Sequence, residues 1–191
     1  MKRSTFVFNV HDIVEMSMLC AFALILDNFL KIPLGTTGGS INLAALPLIF
    51  ISLRHGWFKG FVSCGIIYGF LACLFDGYGF AFLFFDYIVS FGSISIVGIF
   101  GRYINKQLTN KKDMLKTYLL FILSIMLFAV IRFFSCCIDS MIIYEYTFKA
   151  AAAYNFAYVF ISAFAVCIAS CALLPLIIKL NKAFKTSYLK D

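Results

Sequence analysis

Long apolar runs, separated by short polar stretches, are the feature that most constrains this chain. Of its 191 residues, 63% belong to the hydrophobic classes and only 13% are charged. Soluble domains keep about a quarter of their residues charged, and so few charges could not cover a water-facing surface. Lipid must therefore be the solvent for most of the chain, which we predict to be an all-α integral membrane protein.

The apolar runs predict six transmembrane helices in a single domain over residues 1–191. A membrane span needs about 20 mostly apolar residues. The predicted spans cover residues 13–31, 43–53, 57–75, 80–100, 118–138 and 154–178. The second run is too short to cross a bilayer unaided. We therefore expect it to begin inside the protein or to be buried by its neighbours.

The basic residues predict the orientation of these spans, because cytoplasmic loops carry an excess of Lys and Arg. With the N- and C-termini cytoplasmic, thirteen of the 16 basic residues fall in inside segments, Arg54 and Lys59 among them. The exceptions are Lys31, Arg132 and Lys149. An odd number of spans would spoil this partition. We predict a multi-pass protein of the bacterial plasma membrane, whose net charge of +7 marks topology rather than a nucleic-acid partner.

Sequence signatures of catalysis are missing. The chain has no Walker A, HExxH, GxSxG or dinucleotide-binding motif. Its two histidines, His11 and His55, lie at predicted cytoplasmic span ends, where they cannot form a metal site with acids on the other side. We therefore predict that the protein is not an enzyme and has neither a metal nor a cofactor.

Acidic and aromatic residues collect on the predicted outer side. Asp76 and Tyr78 follow the third span, and Asp139, Tyr144 and Glu145 lie near the end of the fifth. One interpretation is an interfacial aromatic belt with a few solvated acids. The other is an outward-facing pocket, in which rings stack on a ligand and acids face its cationic or donor-rich part.

Three further features leave alternatives open. Ser17 and Ala21 stand four residues apart on the first span and would permit close helix approach, either inside the monomer or against another membrane subunit. Arg132 lies in the outer half of the fifth span, where it forms an ion pair with Asp86 or Asp139 or contacts a ligand. The glycine-rich loop after the first span is either a lid or a connector.

An ordered series of short motifs resembles the S-components, the substrate-binding subunits, of energy-coupling factor vitamin transporters, and most closely the thiamine-specific type. The series runs through most of the chain. It consists of Asn42-Leu43 with Pro47, Arg54 with Gly56, Gly65 with Tyr68-Gly69, Asp86-Tyr87, Arg132-Phe133 and Tyr154-Asn155. The first span resembles the family's docking motif at Ser17 and Ala21.

The resemblance implies a six-helix fold with an outward-facing vitamin pocket. It also implies a membrane coupling subunit carried by two cytosolic ATPases, and thiamine or a related pyrimidine or pyridine compound as the ligand. The expected ligand contacts are Tyr68, Asp76, Tyr78, Cys136, Ser140, Tyr144, Glu145 and Asn155. The expected lid includes Gly35, Gly38 and Gly39, and coupling-subunit docking is expected at Ser17 and Ala21.

Several binding positions depart from the thiamine-specific pattern. Cys136, Ser140 and Tyr144 stand where that pattern has histidine, glycine and tryptophan, and Ala150 stands in place of a tyrosine. Replacing a histidine by a cysteine removes a strong hydrogen-bond partner. Two other functions stay open: a structural or assembly membrane protein without a small-molecule ligand, and an autonomous small permease.

Overall fold

The computed structural model of the chain describes residues 6–33, 40–110, 113–184 and 186–189. Its secondary structure is helical apart from one short antiparallel ribbon. The elements are α1 (Val10–Phe29), β1 (Ile32–Pro33), β2 (Ser40–Ile41), α2 (Ala45–His55), α3 (Trp57–Asp76), α4 (Phe80–Ile99), α5 (Gly101–Asn110), α6 (Met114–Ile143), α7 (Phe148–Ala183) and a 3₁₀ turn (Ser187–Leu189).

Four helices, α3, α4, α6 and α7, are long and apolar enough to cross a membrane. This confirms the prediction of a helical membrane protein. Helix α1 has 20 residues but carries three acidic side chains, Asp12, Glu15 and Asp27, and α2 has only 11 residues. The count of six spans and the cytoplasmic position of both ends stay predictions.

Helix α2 is the centre of the packing, as its short apolar run predicts. Leu48, Ile49, Ile51 and Leu53 have no exposed surface. They belong to one core cluster with side chains of α1 and of α3 through α7. Helix α2 ends at His55 and is followed by Gly56, whose φ of 85° lies in the region that favours glycine. The apolar run at 43–53 is thus a core helix held by its neighbours.

Glycines bring α3 and α4 into backbone contact. A Cβ added at Gly65 would lie 2.9 Å from the Cα of Gly92 and 3.0 Å from the carbonyl oxygen of Ile88. A Cβ at Gly69 would lie 3.2 Å from the backbone of Tyr87. Both helices contain π-helical turns here, at Phe61–Tyr68 and Leu83–Val89. This close packing places the beginning of α4 against the end of α3.

A buried ionic cluster joins α1, α2 and α3 at the predicted cytoplasmic end. Lys59 Nζ lies 2.9 Å from an Asp12 carboxylate oxygen, and both side chains are almost fully buried. Arg54 donates from Nε to Glu15 and from Nη1 to the Asn181 side chain of α7. His55 lies between the two acids, 3.6 Å from Asp12 and 3.4 Å from Glu15.

Two basic residues of this cluster, Arg54 and Lys59, differ from the solvated loop residues that the sequence predicts. In the predicted orientation, Arg54 and Lys59 are basic residues of segments that face the cytoplasm. Both are buried and paired with carboxylates instead. Charged residues such as these are typical of loops. Both side chains can be buried here because α1 supplies the opposite charges.

Candidate functional site

A cavity lies at the end of the helical bundle opposite the ionic cluster. It forms where α1 and α3 end, where α4 and α7 begin, and beside the second half of α6. The residues that line it are Asp27, Ser40, Asn42, Asp76, Tyr78, Phe82, Asp86, Tyr87, Phe91, Arg132, Cys136, Asp139, Ser140, Tyr144, Tyr154 and Tyr158. Four aspartates and one arginine therefore face a common space that is otherwise mostly aromatic.

Asp27 is held in the wall by two hydrogen bonds. Tyr68 donates its hydroxyl to one carboxylate oxygen at 2.8 Å, and the Asn42 side chain donates to the other at 2.6 Å. Asn42 follows the β1–β2 ribbon, and its backbone amide donates to Ser162 of α7 at 3.3 Å. The ribbon thus ties α1 to α7 at the cavity.

Asp76 joins two elements at the other side of the cavity. Its carboxylate accepts hydrogen bonds from Lys31 and from the hydroxyl of Tyr87, each at 2.9 Å. Lys31 lies just after α1, and Tyr87 lies on α4. The end of α3 is therefore fixed to both neighbours through one side chain.

Asp139 and Arg132 are two charged groups of the cavity wall that have no hydrogen-bond or salt-bridge partner among the described residues. In the described part of the chain, neither forms a hydrogen bond or a salt bridge within 4.0 Å. The Arg132 guanidinium lies over the Phe91 ring, with 4.5 Å from Cζ to the ring centroid. The ion pair of Arg132 with Asp86 or Asp139 is not formed. Asp86 instead accepts from the Cys136 thiol at 3.0 Å.

A continuous series of aromatic rings borders the cavity. Neighbouring rings have centroid distances of 5.5–6.5 Å along the order Tyr78, Phe82, Tyr144, Tyr146, Tyr154, Tyr158. These separations are typical of interacting aromatic pairs. Tyr144 follows α6, and partial burial raises the pKa of its hydroxyl above the ordinary value. The group stays protonated at neutral pH and can donate a hydrogen bond.

The structure brings together five of the ligand contacts expected from the sequence. Asp76, Tyr78, Cys136, Ser140 and Tyr144 all line the cavity. They come from the end of α3, the turn that follows it, and the last turns of α6. Residues far apart in the chain therefore meet as a group at one site.

Three expected contacts lie elsewhere. Tyr68 has no exposed surface and stands behind Asp27, with its ring against Phe91 at 4.8 Å. Asn155 is also fully buried, donates to Ser140 at 3.0 Å and accepts from the Tyr158 hydroxyl. Both support lining residues rather than forming the surface. Glu145 is exposed and does not line the cavity.

The remaining predicted positions are a docking face and a lid. Ser17 and Ala21 lie on the exposed face of α1, away from the core, so they do not pack inside the monomer. Gly35, Gly38 and Gly39 lie outside the described residues. No group of three or more His, Cys, Asp or Glu side chains within the described ranges could hold a metal ion.

Four residues that line the cavity were not among the ligand contacts expected from the sequence: Asp27, Asn42, Tyr154 and Tyr158. For Asp27 a signal existed, because an ionisable residue inside a predicted span is a functional candidate by default. The residue stands four positions before the predicted end of the first span. The other three are ordinary polar residues near span ends, and only the folded arrangement distinguishes them.

Comparisons with known proteins agree with this architecture. A sequence model of the thiamine transporter protein family (Thia_YuaJ) matches residues 13–186. Thiamine transporter ThiT of Bacillus subtilis (strain 168) is 34% identical over 107 residues, which are 52% of this chain and 53% of that protein. The matched region thus spans about half the length of this curated relative.

A solved structure of ThiT from Listeria monocytogenes has the same fold. The TM-score is 0.71, and the match covers 91% of this chain and 96% of that chain at 19% identity. The family match extends over most of the sequence, and its members are transport proteins rather than enzymes. With its apolar helices, this multi-pass protein of the cell membrane belongs to the thiamine transporter protein family (Thia_YuaJ).

Proposed function

We propose that the protein is the substrate-binding subunit of an energy-coupling factor importer, and that it captures thiamine or a related vitamin at its outer face. The observation that carries this proposal is the cavity in which four aspartates, one arginine and a series of aromatic rings converge. Thiamine offers a permanently cationic ring and a flat, donor-bearing pyrimidine. Aromatic faces attract cations and stack on flat rings, and carboxylates accept from donors.

The charges of the cavity favour a cationic ligand. Lys31 already bonds Asp76, and Asp27 accepts from two neutral donors, so Asp139 is the carboxylate most available to a ligand. Arg132 would donate a hydrogen bond to a hydroxyl oxygen or another acceptor of the ligand. We propose Asp76, Tyr78, Cys136, Ser140 and Tyr144 as contacts, together with Asp86, Asp139 and Arg132.

The cavity must widen to admit a vitamin. Its open volume is about 80 Å³, whereas drug-sized ligands occupy pockets of about 300–1,000 Å³. Tyr78 and Tyr144 are 56% and 41% exposed, so their rings can swing outward without loss of core packing. We propose that these rings open and then close over the ligand. Tyr68 and Asn155 would hold the lining residues Asp27 and Ser140 in place through their hydrogen bonds.

Two further parts of the proposal concern the whole complex. We propose six spans with both termini cytoplasmic. In this topology α1 and the buried α2 are the two spans in addition to the four apolar helices α3, α4, α6 and α7. We also propose that the exposed Ser17 and Ala21 contact a membrane coupling subunit, which is carried by two cytosolic ATPases. The absence of nucleotide-binding motifs from the sequence agrees with ATP hydrolysis in other chains.

Mass spectrometry of small molecules retained by the purified protein tests the ligand proposal. We expect thiamine, or a compound with a pyrimidine or pyridine ring, in stoichiometric amount after mild detergent extraction. The same compound should raise the unfolding temperature of protein from which it has been removed. Neither retention nor stabilisation across a panel of such vitamins would favour a structural membrane protein without a ligand.

Co-purification tests the coupling proposal separately. When the tagged protein is isolated from its own cells, a membrane subunit and two ATPases should accompany it. Uptake by cells that lack every coupling subunit would instead indicate an autonomous permease. A different stable partner with no ATPase would support an assembly role.

A further inference from the structure

Lys31 forms an ion pair with one carboxylate of the proposed vitamin cavity. Its Nζ donates to Asp76 at 2.9 Å, and Asp76 lines the cavity whereas Lys31 does not. Within the described ranges, the other cavity aspartates, Asp27, Asp86 and Asp139, have no basic partner within 4.0 Å. A cation of the protein itself therefore already stands at one of the carboxylates that would meet a cationic ligand.

The position of Asp76 does not depend on Lys31 alone. Asp76 is the last residue of α3, and the Tyr87 hydroxyl donates to its second carboxylate oxygen at 2.9 Å. Tyr87 is 5% exposed and belongs to the main core cluster. The carboxylate would thus stay at the cavity wall if the Lys31 ammonium moved away.

The end of α3 favours a positive charge beside Asp76. The last carbonyl groups of a helix carry a partial negative charge, so a carboxylate is unfavourable there and a cation is stabilising. In the ligand-free protein Lys31 supplies this cation. A cationic ring in the cavity would supply the same charge, and two cations at one carboxylate repel each other. Lys31 and a cationic ligand therefore compete for Asp76.

The Lys31 side chain can leave Asp76 with little loss of stability. It is 34% exposed, and it lies in the connection between α1 and β1 rather than in the core. An ammonium in this position can be hydrated by water, and an ion pair that is partly exposed contributes little to the stability of a fold. The pair is therefore suited to exchange of one cation for another.

We propose that Lys31 is the internal counter-ion of Asp76, and that a cationic ligand replaces its ammonium at this carboxylate. Lys31 thereby sets how strongly the cavity prefers a cationic ligand to a neutral ligand of the same shape. It is a specificity-determining residue that acts through Asp76 without contacting the ligand. This inference rests on the proposed function, because it concerns the cationic ring of a vitamin in the same cavity.

The test is isothermal titration of the full-length Lys31→Gln variant and of the unchanged protein with thiamine. We expect Lys31→Gln to bind thiamine about twofold to fivefold more tightly, which is about 0.4–1 kcal/mol and lies in the range of a partly exposed ion pair. A thiamine analogue with a neutral thiophene ring in place of the thiazolium should bind both proteins equally. Lys31→Arg keeps the cation and should restore the affinity of the unchanged protein.

A second substitution shows whether the effect passes through Asp76. In an Asp76→Asn background the carboxylate is absent, so Lys31→Gln should no longer increase thiamine affinity. The matched control is Lys149→Gln, which removes an exposed cation near the start of α7, at the same end of the bundle. Lys149 forms no ion pair in the parts of the chain that the structure describes, and its substitution should leave thiamine affinity unchanged.

The outcomes separate this inference from the proposed function. If the unchanged protein binds thiamine and Lys31→Gln binds it equally or more weakly, Lys31 is not a competing counter-ion. An equal gain with the neutral analogue, with Lys149→Gln or in the Asp76→Asn background would also overturn the inference. If neither the unchanged protein nor Lys31→Gln binds thiamine while both are folded, the proposed function fails, and this inference fails with it.

Discussion

Asp139 is the cavity carboxylate that points most clearly to ligand binding rather than to a structural ion pair. It is 4% exposed, lines the cavity, and has no hydrogen-bond partner in the described part of the chain. A buried carboxylate without a partner is costly, so a ligand that donates to it gains correspondingly. Substitution of Asp139 should therefore affect ligand binding directly.

Asp139→Asn is expected to weaken thiamine binding by about tenfold to a hundredfold, because a hydrogen bond to a charged group contributes about 1.5–3 kcal/mol. Isothermal titration of purified protein would measure the loss. The control is Asp113→Asn, which changes the same side chain just before α6, at the other end of that helix, and should bind normally. Equal affinities for Asp139→Asn and the unchanged protein would remove Asp139 from the site.

The buried Asp12–Lys59 pair gives a stability prediction. Lys59→Met would leave Asp12 buried without its cation, and loss of one partner from a buried pair costs about 3–5 kcal/mol. We expect a marked fall in unfolding temperature in detergent, relative to Lys116→Met at the exposed Asp113–Lys116 pair. An exposed pair contributes about 0–1 kcal/mol. Similar unfolding temperatures for the two variants would contradict the buried pair.

At the residue scale, the sequence predicted part of the site. Acidic and aromatic residues near span ends pointed to Asp76, Tyr78 and Tyr144, and the family resemblance pointed to Cys136 and Ser140. Tyr68 and Asn155 could not be separated from contact residues by sequence, since burial behind the wall depends on the packing of α3, α4 and α7. Glu145 shares the composition signal but lies in an exposed turn after α6 with a positive φ.

Hydropathy predicted the helices well, and their limits less well. Helices α6 and α7 have 30 and 36 residues and extend beyond the apolar runs from which they were predicted. Backbone hydrogen bonds can continue a helix through polar residues. Hydropathy alone predicts a loop for the same residues. Helix α5 was missed for this reason, because its polar residues resemble those of a cytoplasmic loop.

The exposed face of helix α1 is the proposed contact surface for the coupling subunit. Ala21→Leu adds bulk to the exposed face of α1, where close helix approach needs small residues. We expect the variant to fold and to bind thiamine normally, but to lose its coupling subunit in a pull-down from membranes.

Ala172→Leu on the exposed surface of α7 is the matched control and should keep the coupling subunit. A complex that survives Ala21→Leu would exclude this face of α1 from docking. Loss of thiamine binding by Ala21→Leu would show that the substitution disturbs the fold, which the exposed position of Ala21 argues against.

At the scale of the whole molecule, the topology is a separate prediction. Burial of Arg54 and Lys59 removes two charges from the positive-inside count, but the cations at Arg102, Lys106 and Lys182 remain exposed at that end. At both ends of the chain, a fused reporter that works only in the cytoplasm should therefore be active, and fused alkaline phosphatase should be inactive. Alkaline phosphatase activity at one end alone would require an odd number of spans.

The two ends of the bundle have different chemistry, and this division gives the molecule its proposed direction. Carboxylates and aromatic rings collect at one end around a narrow cavity, and the exposed cations Arg102, Lys106 and Lys182 lie with the ionic cluster at the other. A capture subunit needs such an asymmetry, since it meets a cationic vitamin on one side and the energy source on the other.

Isothermal titration of the purified, ligand-free protein with thiamine tests the central claim most directly. Heat of binding reports on the cavity, whereas the single tryptophan, Trp57, lies at the other end of α3 and is unsuited as a fluorescent probe. We predict saturable binding of one thiamine per chain, which Asp139→Asn weakens and Asp113→Asn does not. No detectable heat from thiamine or from any related pyrimidine or pyridine vitamin, with the protein folded, would contradict the claim.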